Sequence, residues 1–239
     1  TRVGGMMADL PEGWTDGLKE FLDTFPATLA EVHRLLTNNG IFIGRTQGVG
    51  AISGEEAVNY GFTGPNLRAS GVAYDVRKDQ PYYDYETYDF EVPVGKYGDC
   101  YDRYLVRMEE MNQSVAILRQ ALDRLPEGPI NVDDPDISLP DKTDAMNDME
   151  SMIHHFKLIT EGIKAPVAAD CYFPVEASKG ELGMYVVANE GDTKPVRWRV
   201  RPPSFVNISV LPKLAQGHLV SDLIMINASL DIVLGEIDR

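Results

Sequence analysis

The stretch between Asp99 and Leu125 constrains the fold most, because its apolar side chains recur every three or four residues. They are Tyr101, Leu105, Met108, Met111, Val115, Leu118, Leu122 and Leu125. This spacing places them along one face of an α-helix. Asp99 is a suitable cap for the first turn, and Pro126 and Pro129 follow the last one. The sequence therefore predicts a long helix whose apolar face needs cover.

Helical spacing also occurs in three other regions. Residues 14–38 carry it, with a kink or an interruption predicted at Pro26. Residues 142–161 are predicted to form a second long helix, and residues 211–229 return to the same spacing. In the second long helix, the side chains predicted to face inward are Met146, Met149, Ile153 and Phe156.

The period of the pattern changes between residues 171 and 202. Short segments rich in valine and aromatic residues, separated by turns, predict a small antiparallel sheet there. The predicted fold class is α+β, mainly α, with a long helical bundle and a small antiparallel β-sheet. We predict a single domain over residues 1–239, with a helical part at 1–166, a sheet at 171–202, and a C-terminal helix and tail at 211–239.

The charge balance excludes some classes of function. The chain has 22 Lys and Arg against 37 Asp and Glu, a formal net charge of −15. Nucleic-acid binders need a basic face, and attachment to anionic lipid needs a basic cluster, so neither fits this chain. No stretch without Asp, Glu, Lys or Arg exceeds 11 residues, the length of the one at 202–212, whereas a membrane span needs roughly 20 apolar residues.

The residues that commonly bind metals are poorly arranged for it. Cys100 and Cys171 are far apart, and no CxxC motif exists from which a cluster could be built. His154 and His155 are adjacent, so on a helix they point about 100° apart and do not easily share one ion. Glu150 lies four residues before His154 and is a candidate ion-pair partner for it. We therefore predict no metal site in this chain.

Two further groups of residues allow more than one interpretation. The tyrosine-rich run at residues 80–88 fits a ligand cage, but it fits better an amphipathic surface segment whose rings pack together and whose hydroxyls stay in water. Asp99, Asp102, Arg103 and Arg107 put acids and bases on neighbouring helical turns, which ion pairs explain at least as well as catalysis. Pattern alone thus leads to an acidic, mostly helical domain with a small sheet.

Several short motifs, taken together and in order, resemble one protein family. They are GPNLRASG at 64–71, YDVRK at 74–78, VPVG at 92–95, GDCYDRY at 98–104, MESMIHHFK at 149–157, KGELG at 179–183 and DIVLGEIDR at 231–239. The set is similar to the D subunit of proton-translocating NADH:quinone oxidoreductase, respiratory complex I. That subunit is related to the large subunit of nickel–iron hydrogenases, so the resemblance implies a hydrogenase-large-subunit-like fold.

The resemblance also implies that the chain is the C-terminal part of a longer, N-terminally truncated subunit. The family's N-terminal segment carries a GPQHPxxHG-type motif whose histidine approaches the quinone headgroup, and a tyrosine and an aspartate that take part there. None of these residues occurs in this sequence. The resemblance therefore implies part of a quinone site, no assigned catalytic residue within the chain, and an inactive isolated fragment.

The closing nonapeptide supplies the candidate site. In hydrogenases the corresponding motif is DPCxxC, whose thiolates hold nickel and iron. Aligned on Asp231, the two cysteine positions hold Val233 and Glu236, so the resemblance implies a vacant metal pocket that quinone uses. The candidate residues of the quinone cavity are Asp231, Val233, Glu236, Asp238 and Arg239. Val233 is expected to contact the quinone ring or its isoprenoid tail, and Arg239 to be tied inward by ion pairs.

The implied function is that of a peripheral-arm core subunit of proton-pumping NADH:quinone oxidoreductase. Quinone is the implied substrate, and the iron–sulfur cluster next to it belongs to a partner subunit. The implied partners are the iron–sulfur B subunit, the C subunit and the membrane H subunit of the complex. The implied location is the cytoplasmic face of the cell inner membrane, or the matrix face in a mitochondrion. The alternative is a non-catalytic scaffold subunit of a related membrane-bound dehydrogenase or hydrogenase-like complex.

Overall fold

The computed structural model describes residues 3–238 and is mainly helical. The α-helices are α1 (Trp14–Val32), α2 (Gly40–Thr46), α3 (Gly54–Asn59), α4 (Gly64–Ala69), α5 (Val76–Asp79), α6 (Cys100–Asp123), α7 (Lys142–Asn147), α8 (Met149–Thr160), α9 (Pro203–Ser209), α10 (Leu211–Leu214), α11 (Val220–Leu230) and α12 (Leu234–Ile237). The strands are β1 (Ala169–Ala177), β2 (Gly180–Ala188) and β3 (Arg197–Arg201). A π-helical segment covers His33–Thr37, and a 3₁₀-helix covers Tyr85–Thr87. The predicted fold class is confirmed.

The sheet has the strand order β1–β2–β3. The tight turn between β1 and β2 contains Ser178 and Lys179, and Gly180 begins β2 with a φ of +133°. A Cβ on Gly180 would lie 2.6 Å from the hydroxyl of Thr63, so a larger residue does not fit there. This turn therefore brings Lys179 close to the segment that contains Thr63.

The long helix α6 begins where the sequence predicted. The Asp99 carboxylate caps it by accepting a hydrogen bond from the amide of Asp102 at 2.8 Å. Its first half is buried through charged as well as apolar residues, since Asp102 and Arg103 are buried with Val106 and Met108. The apolar spacing alone did not predict that buried charge.

The prediction of one long helix over residues 142–161 is wrong. Asp148 has extended backbone dihedrals, φ −115° and ψ 131°, and its carboxylate accepts from the amide of Ser151 at 2.8 Å. An aspartate in this conformation caps a new helix, so the chain forms α7 and α8 instead. The four side chains predicted to face inward are exposed: Met146 by 72%, Met149 by 75%, Ile153 by 48% and Phe156 by 61%.

The contacts of the chain divide it into two compact units. Within the described residues, the first comprises 3–16, Leu125–Tyr172 and Tyr185–Arg199. In it, Gly5 and Asn131 form an antiparallel bridge, and the amide of Val132 donates to the carbonyl of Gly4 at 2.8 Å. The organisation of the chain as a single domain stays a prediction.

The second unit comprises Gly17–Arg124, Phe173–Met184 and the described residues from Val200 onward. Its main cluster of buried apolar side chains is Ile52, Ala57, Phe62, Leu67, Cys100, Val210, Leu214, Ile226 and Leu230. This cluster packs α11 against α3, α4 and the start of α6. It thereby fixes the end of α11, where the candidate C-terminal residues begin.

The tyrosine-rich run lies partly on the surface and partly packed. Tyr83 is almost fully exposed, whereas the ring of Tyr82 stacks edge-on against Tyr85, with 5.1 Å between ring centroids. The hydroxyl of Tyr82 accepts from the amide of Glu176 at 3.0 Å. These contacts tie the run to β1. Among the described helices, none is both long and apolar enough to span a bilayer.

Candidate functional site

The candidate site starts at a reversal of the chain after α11. Asp231 has a left-handed backbone, with φ 53° and ψ 57°, and its amide donates to the carbonyl of Ala228 at 3.1 Å. Aspartate tolerates this conformation better than most residues with a Cβ do. The reversal lets Ile232 pack against the apolar cluster of the second unit. The segment after Asp231 is therefore anchored at its first residue, Ile232.

The carboxylate of Asp231 is paired with two cations. Oδ2 accepts a hydrogen bond from Nζ of Lys179, which lies in the β1–β2 turn, and is 3.5 Å from Nε of Arg107 on α6. The side chains of Lys179 and Arg107 are only 17% and 22% exposed, and that of Asp231 is 39% exposed. Three separate segments thus meet at one partly exposed carboxylate.

Arg107 is in turn held by groups that sequence reasoning missed. Its Nη2 donates to Oδ1 of Asn66 at 2.9 Å, and its Nη1 donates to the carbonyl of Arg103 at 3.2 Å. Burial lowers the pKa of the Arg107 guanidinium, and the charges of Asp231 and Glu110 oppose that shift. These contacts fix the guanidinium beside Asp231.

Val233 and Glu236 are both tied to Ser204, which is fully buried at the start of α9. The amide of Val233 donates to Oγ of Ser204 at 3.1 Å. The amide of Ser204 donates to Oε2 of Glu236 at 3.2 Å. The side chain of Val233 remains 41% exposed. The contact with Ser204 therefore holds the backbone of Val233, while the apolar side chain of Val233 stays exposed.

The other two candidate residues differ from these. Asp238 is exposed, and its amide donates to the carbonyl of Leu234 at 2.9 Å. Arg239 lies outside the described residues. The structure thus brings Asp231, Val233 and Glu236 into one framework built by Lys179, Arg107 and Ser204. Their predicted contact with quinone stays a prediction.

A buried group of charges adjoins this framework in the second unit. Arg68 is 1% exposed, and its Nη2 lies 2.6 Å from Oε1 of Glu110 and its Nη1 lies 2.9 Å from Oε1 of Glu176. Burial raises the pKa of Glu176, an effect that the charge of Arg68 opposes. A cavity of about 370 Å³ is lined in part by Arg68, Arg107, Glu110 and Glu176. Charged side chains therefore line part of this cavity, and Val233 is not among its lining residues.

The charges at the start of α6, all of which the structure describes, do not form ion pairs with one another as the sequence suggested, although Arg107 pairs with Asp231. In the part of the chain that the structure describes, Arg103 donates instead to the carbonyls of Gly50 at 2.6 Å and Gly98 at 2.8 Å, and to Oγ of Ser229 at 3.0 Å. Oδ2 of Asp102 accepts from the amide of Lys96 at 2.8 Å. Burial lowers the pKa of Arg103 to about 10, so it is protonated at neutral pH. These two side chains therefore mainly form hydrogen bonds with backbone groups of neighbouring loops.

Two further predictions concern the ion-pair partner of His154 and the binding of metal ions. Nε2 of His154 is 3.9 Å from Oε1 of Glu150, which is the predicted i,i+4 pair. Residues 3–238 contain no group of three or more His, Cys, Asp or Glu side chains with a geometry suited to a metal ion.

The motifs that revealed the resemblance contain most of the residues that sequence reasoning missed. Asn66 and Arg68 lie in the motif at 64–71, and Lys179 opens the motif at 179–183. The sequence signal that could have identified them is a charged or amide residue within a run of glycine and apolar residues. Such residues are expensive to bury unless they are paired.

Comparison with known proteins agrees with that resemblance. The sequence model of the family described as "Respiratory-chain NADH dehydrogenase, 49 Kd subunit" matches residues 1–239. The chain is 53% identical over 239 residues to the D subunit of the NADH-quinone oxidoreductase of Methylacidiphilum infernorum, covering all of this chain and 57% of that protein. It is 52% and 50% identical to the proteins of the same name from Geotalea uraniireducens and Geobacter sulfurreducens, covering 60% of each. The chain thus spans less than two thirds of the length of these relatives.

Proposed function

Because the chain belongs to the family of the 49 kDa subunit of respiratory-chain NADH dehydrogenase, we propose that it forms part of the quinone-reduction site of a proton-pumping NADH:quinone oxidoreductase. In this proposal it is a core subunit of the peripheral arm. An iron–sulfur cluster on a neighbouring subunit delivers the electrons, and quinone is the substrate.

The observation that carries the proposal is the held C-terminal turn. Lys179 and Arg107 fix Asp231, Ser204 fixes the backbone of Val233, and the Val233 side chain stays partly exposed. Sites for small ligands combine apolar contact area with a few fixed polar groups. Val233 supplies apolar contact for a ring or an isoprenoid tail, and the polar groups are the cations beside Asp231.

The chemistry of quinone reduction matches such an arrangement. A quinone takes up two electrons and two protons to become a quinol, and negative charge develops on its carbonyl oxygens as electrons arrive. Fixed cations stabilise developing negative charge, because they need no reorganisation when the charge appears. We assign this electrostatic role to Lys179 and Arg107. The carboxylate of Asp231 holds these two cations in place.

The partners and location follow from the same proposal. The chain lies next to the iron–sulfur B subunit, the C subunit and the membrane H subunit of the complex. It is peripheral, on the cytoplasmic face of the inner membrane or on the matrix face in a mitochondrion. The family membership supports both statements.

The test uses membranes that carry the assembled complex with a full-length variant subunit. Val233→Trp enlarges the exposed apolar side chain, and Leu234→Trp makes the same change at the next residue, which is 74% exposed. We expect Val233→Trp to change inhibitor sensitivity by roughly tenfold, equal to ~1.4 kcal/mol of binding free energy, without loss of assembly. Deletion of Arg239 is expected to reduce both activity and assembly.

Leu234→Trp is the control, and it is expected to leave inhibitor sensitivity unchanged. If Val233→Trp also leaves activity and inhibitor response unchanged in an assembled complex, the cavity assignment is wrong. A subunit whose variants affect assembly but never quinone reduction would be the non-catalytic scaffold.

A further inference from the structure

The first unit contains an open groove of about 1,160 Å³ between α7, α8 and the loops around residues 130 and 140. Its apolar lining includes Ile130, Leu139, Met146, Met152 and Phe156. None of the twelve residues of α8, all of which the structure describes, is buried. Among the described residues, the buried apolar side chains all belong to the second unit.

Such exposure has a physical consequence. Removal of apolar surface from water is worth about 25 cal/mol per Å², so an uncovered apolar helix face favours association. Large exposed apolar patches on proteins mark interaction surfaces. Methionine side chains, which are flexible and polarisable, adapt to the shape of a partner. Met146 and Met152 give the groove this adaptable character.

The charges beside the groove identify the kind of partner. A second hollow of about 360 Å³ shares Leu139 and Pro140 with the groove, and its acidic lining residues are Asp133, Asp134, Asp148 and Glu150. From residue 133 to residue 150 the chain has seven carboxylates and a single cation, Lys142. An acidic hollow thus adjoins an apolar groove along one wall.

We propose that this surface, the groove together with its acidic hollow, binds a basic amphipathic helix from a partner polypeptide. The apolar face of that helix lies in the groove between α7 and α8, and its Lys and Arg side chains lie in the acidic hollow. Helix-in-groove recognition of this type reads apolar anchors at spacings of three and four residues. Opposite charges around the anchors set orientation and partner choice.

The same charges argue against two other occupants. A second copy of this chain would bring identical acidic hollows together, and like charges across an interface disfavour it. An anionic membrane surface attracts basic segments, so an acidic rim repels it. The proposal is separate from the one for the C-terminal turn, because it depends on other residues and another readout.

The test places a photoreactive phenylalanine analogue at Phe156 of the full-length chain in membranes that carry its assembly. The same analogue at Val220, which is 88% exposed in the second unit, serves as the control. After irradiation, mass spectrometry identifies the cross-linked peptide. We expect position 156 to link to an apolar segment of another polypeptide that carries Lys or Arg at helical spacing.

Each other outcome overturns the proposal. Links from position 156 to this chain itself, to a second copy or to lipid name a different occupant. A link to an acidic or neutral segment contradicts the charge argument. Absence of any link in an assembly that contains the subunit means that the groove is empty.

A second arm tests the charges directly. Asp133→Lys with Glu150→Lys reverses two charges of the hollow, and Glu190→Lys reverses an exposed charge elsewhere in the same unit. We expect the double variant to lower the yield of the 156 cross-link by about fivefold or more, whereas Glu190→Lys leaves it unchanged. Equal yields in both variants would show that the partner is not recognised by its basic charge.

Discussion

The side-chain amide of Asn66 donates a hydrogen bond to the main-chain carbonyl of Leu230, 3.1 Å away and 164 residues further along the chain. Asn66 is fully buried on α4, and Leu230 is the last residue of α11. The oxygen of the same amide accepts from Arg107, the residue that faces Asp231. One buried side chain therefore connects the end of α11 to the guanidinium that neutralises the next residue.

We predict that Asn66→Ala destabilises the chain by about 2 kcal/mol, because it leaves a buried carbonyl and a guanidinium hydrogen without their partner. The free energy of unfolding in urea measures this change. Asn112→Ala is the control, since Asn112 also makes a side-chain hydrogen bond, to Glu109 at 3.0 Å, but on the exposed surface of α6. Equal destabilisation by the two variants would contradict the structural role of Asn66.

We predict an energetic coupling between Lys179 and Asp231, measured by a double-mutant cycle with Lys179→Met and Asp231→Asn. Asparagine is the right replacement because it removes the charge yet tolerates the left-handed backbone at this position. The pair is partly exposed, so the coupling should be modest, about 0.5–1.5 kcal/mol, and smaller at high salt.

A second ion pair of the chain provides the comparison. Lys213 and Glu56 lie 3.1 Å apart, and both side chains are 46% exposed. We expect no measurable coupling from the cycle with Lys213→Met and Glu56→Gln, because water screens this pair more strongly. If the two cycles give the same coupling, Asp231 is not held by Lys179 in the way described.

Local patterns predicted the elements of this fold that local energetics controls. The spacing from Tyr101 to Leu125 predicted α6, and Asp99 caps it as expected. The change to short β-rich segments predicted the three strands. Each of these depends on residues within a few positions of one another, which a sequence displays directly.

Other features depend on groups far apart in the chain, and spacing does not encode them. Nothing near Asn66 in the sequence indicates Leu230, and nothing near Lys179 indicates Asp231. The break at Asp148 is different, since its capping signal is local, but the apolar spacing across residues 142–161 obscured it. In the candidate site, the resemblance located the C-terminal residues, whereas only the structure supplied Lys179, Arg107 and Ser204 as their partners.

We predict that Asp75 contributes to stability in a way that depends on pH. Burial alone would raise the pKa of this carboxyl, but hydrogen bonds and charge from Arg77, with the charge of Arg68, lower it below its usual 3.8. A carboxylate whose pKa is lower in the folded state stabilises the fold above its unfolded pKa. That contribution is lost as the pH falls through the folded value.

The measurement is the difference in unfolding free energy between the unsubstituted chain and Asp75→Asn as a function of pH. This difference should be constant from pH 7 to about pH 5 and should shrink as the pH falls below about 4, where the unfolded carboxyl becomes protonated. Asp84→Asn, at an exposed position, is the control at pH 7 and should change the unfolding free energy there by less than about 0.5 kcal/mol. A difference that grows towards acidic pH would reverse the assigned sign.

We predict that the two cysteines differ strongly in reactivity. Cys171 is exposed on β1, whereas Cys100 is 2% exposed in the main apolar cluster of the second unit. Burial raises the pKa of the Cys100 thiol, so its thiolate, the reactive form, is scarce at neutral pH as well as inaccessible.

A disulfide reagent such as Ellman's reagent should therefore modify one thiol quickly in the folded chain and the second only on unfolding. Cys171→Ser should remove the fast phase entirely, and Cys100→Ala should leave its rate unchanged. Raising the pH from 7 to 8.5 should not expose Cys100. Rapid modification of two thiols in the folded chain would show that the packing of α6 against α11 around Cys100 opens readily in solution.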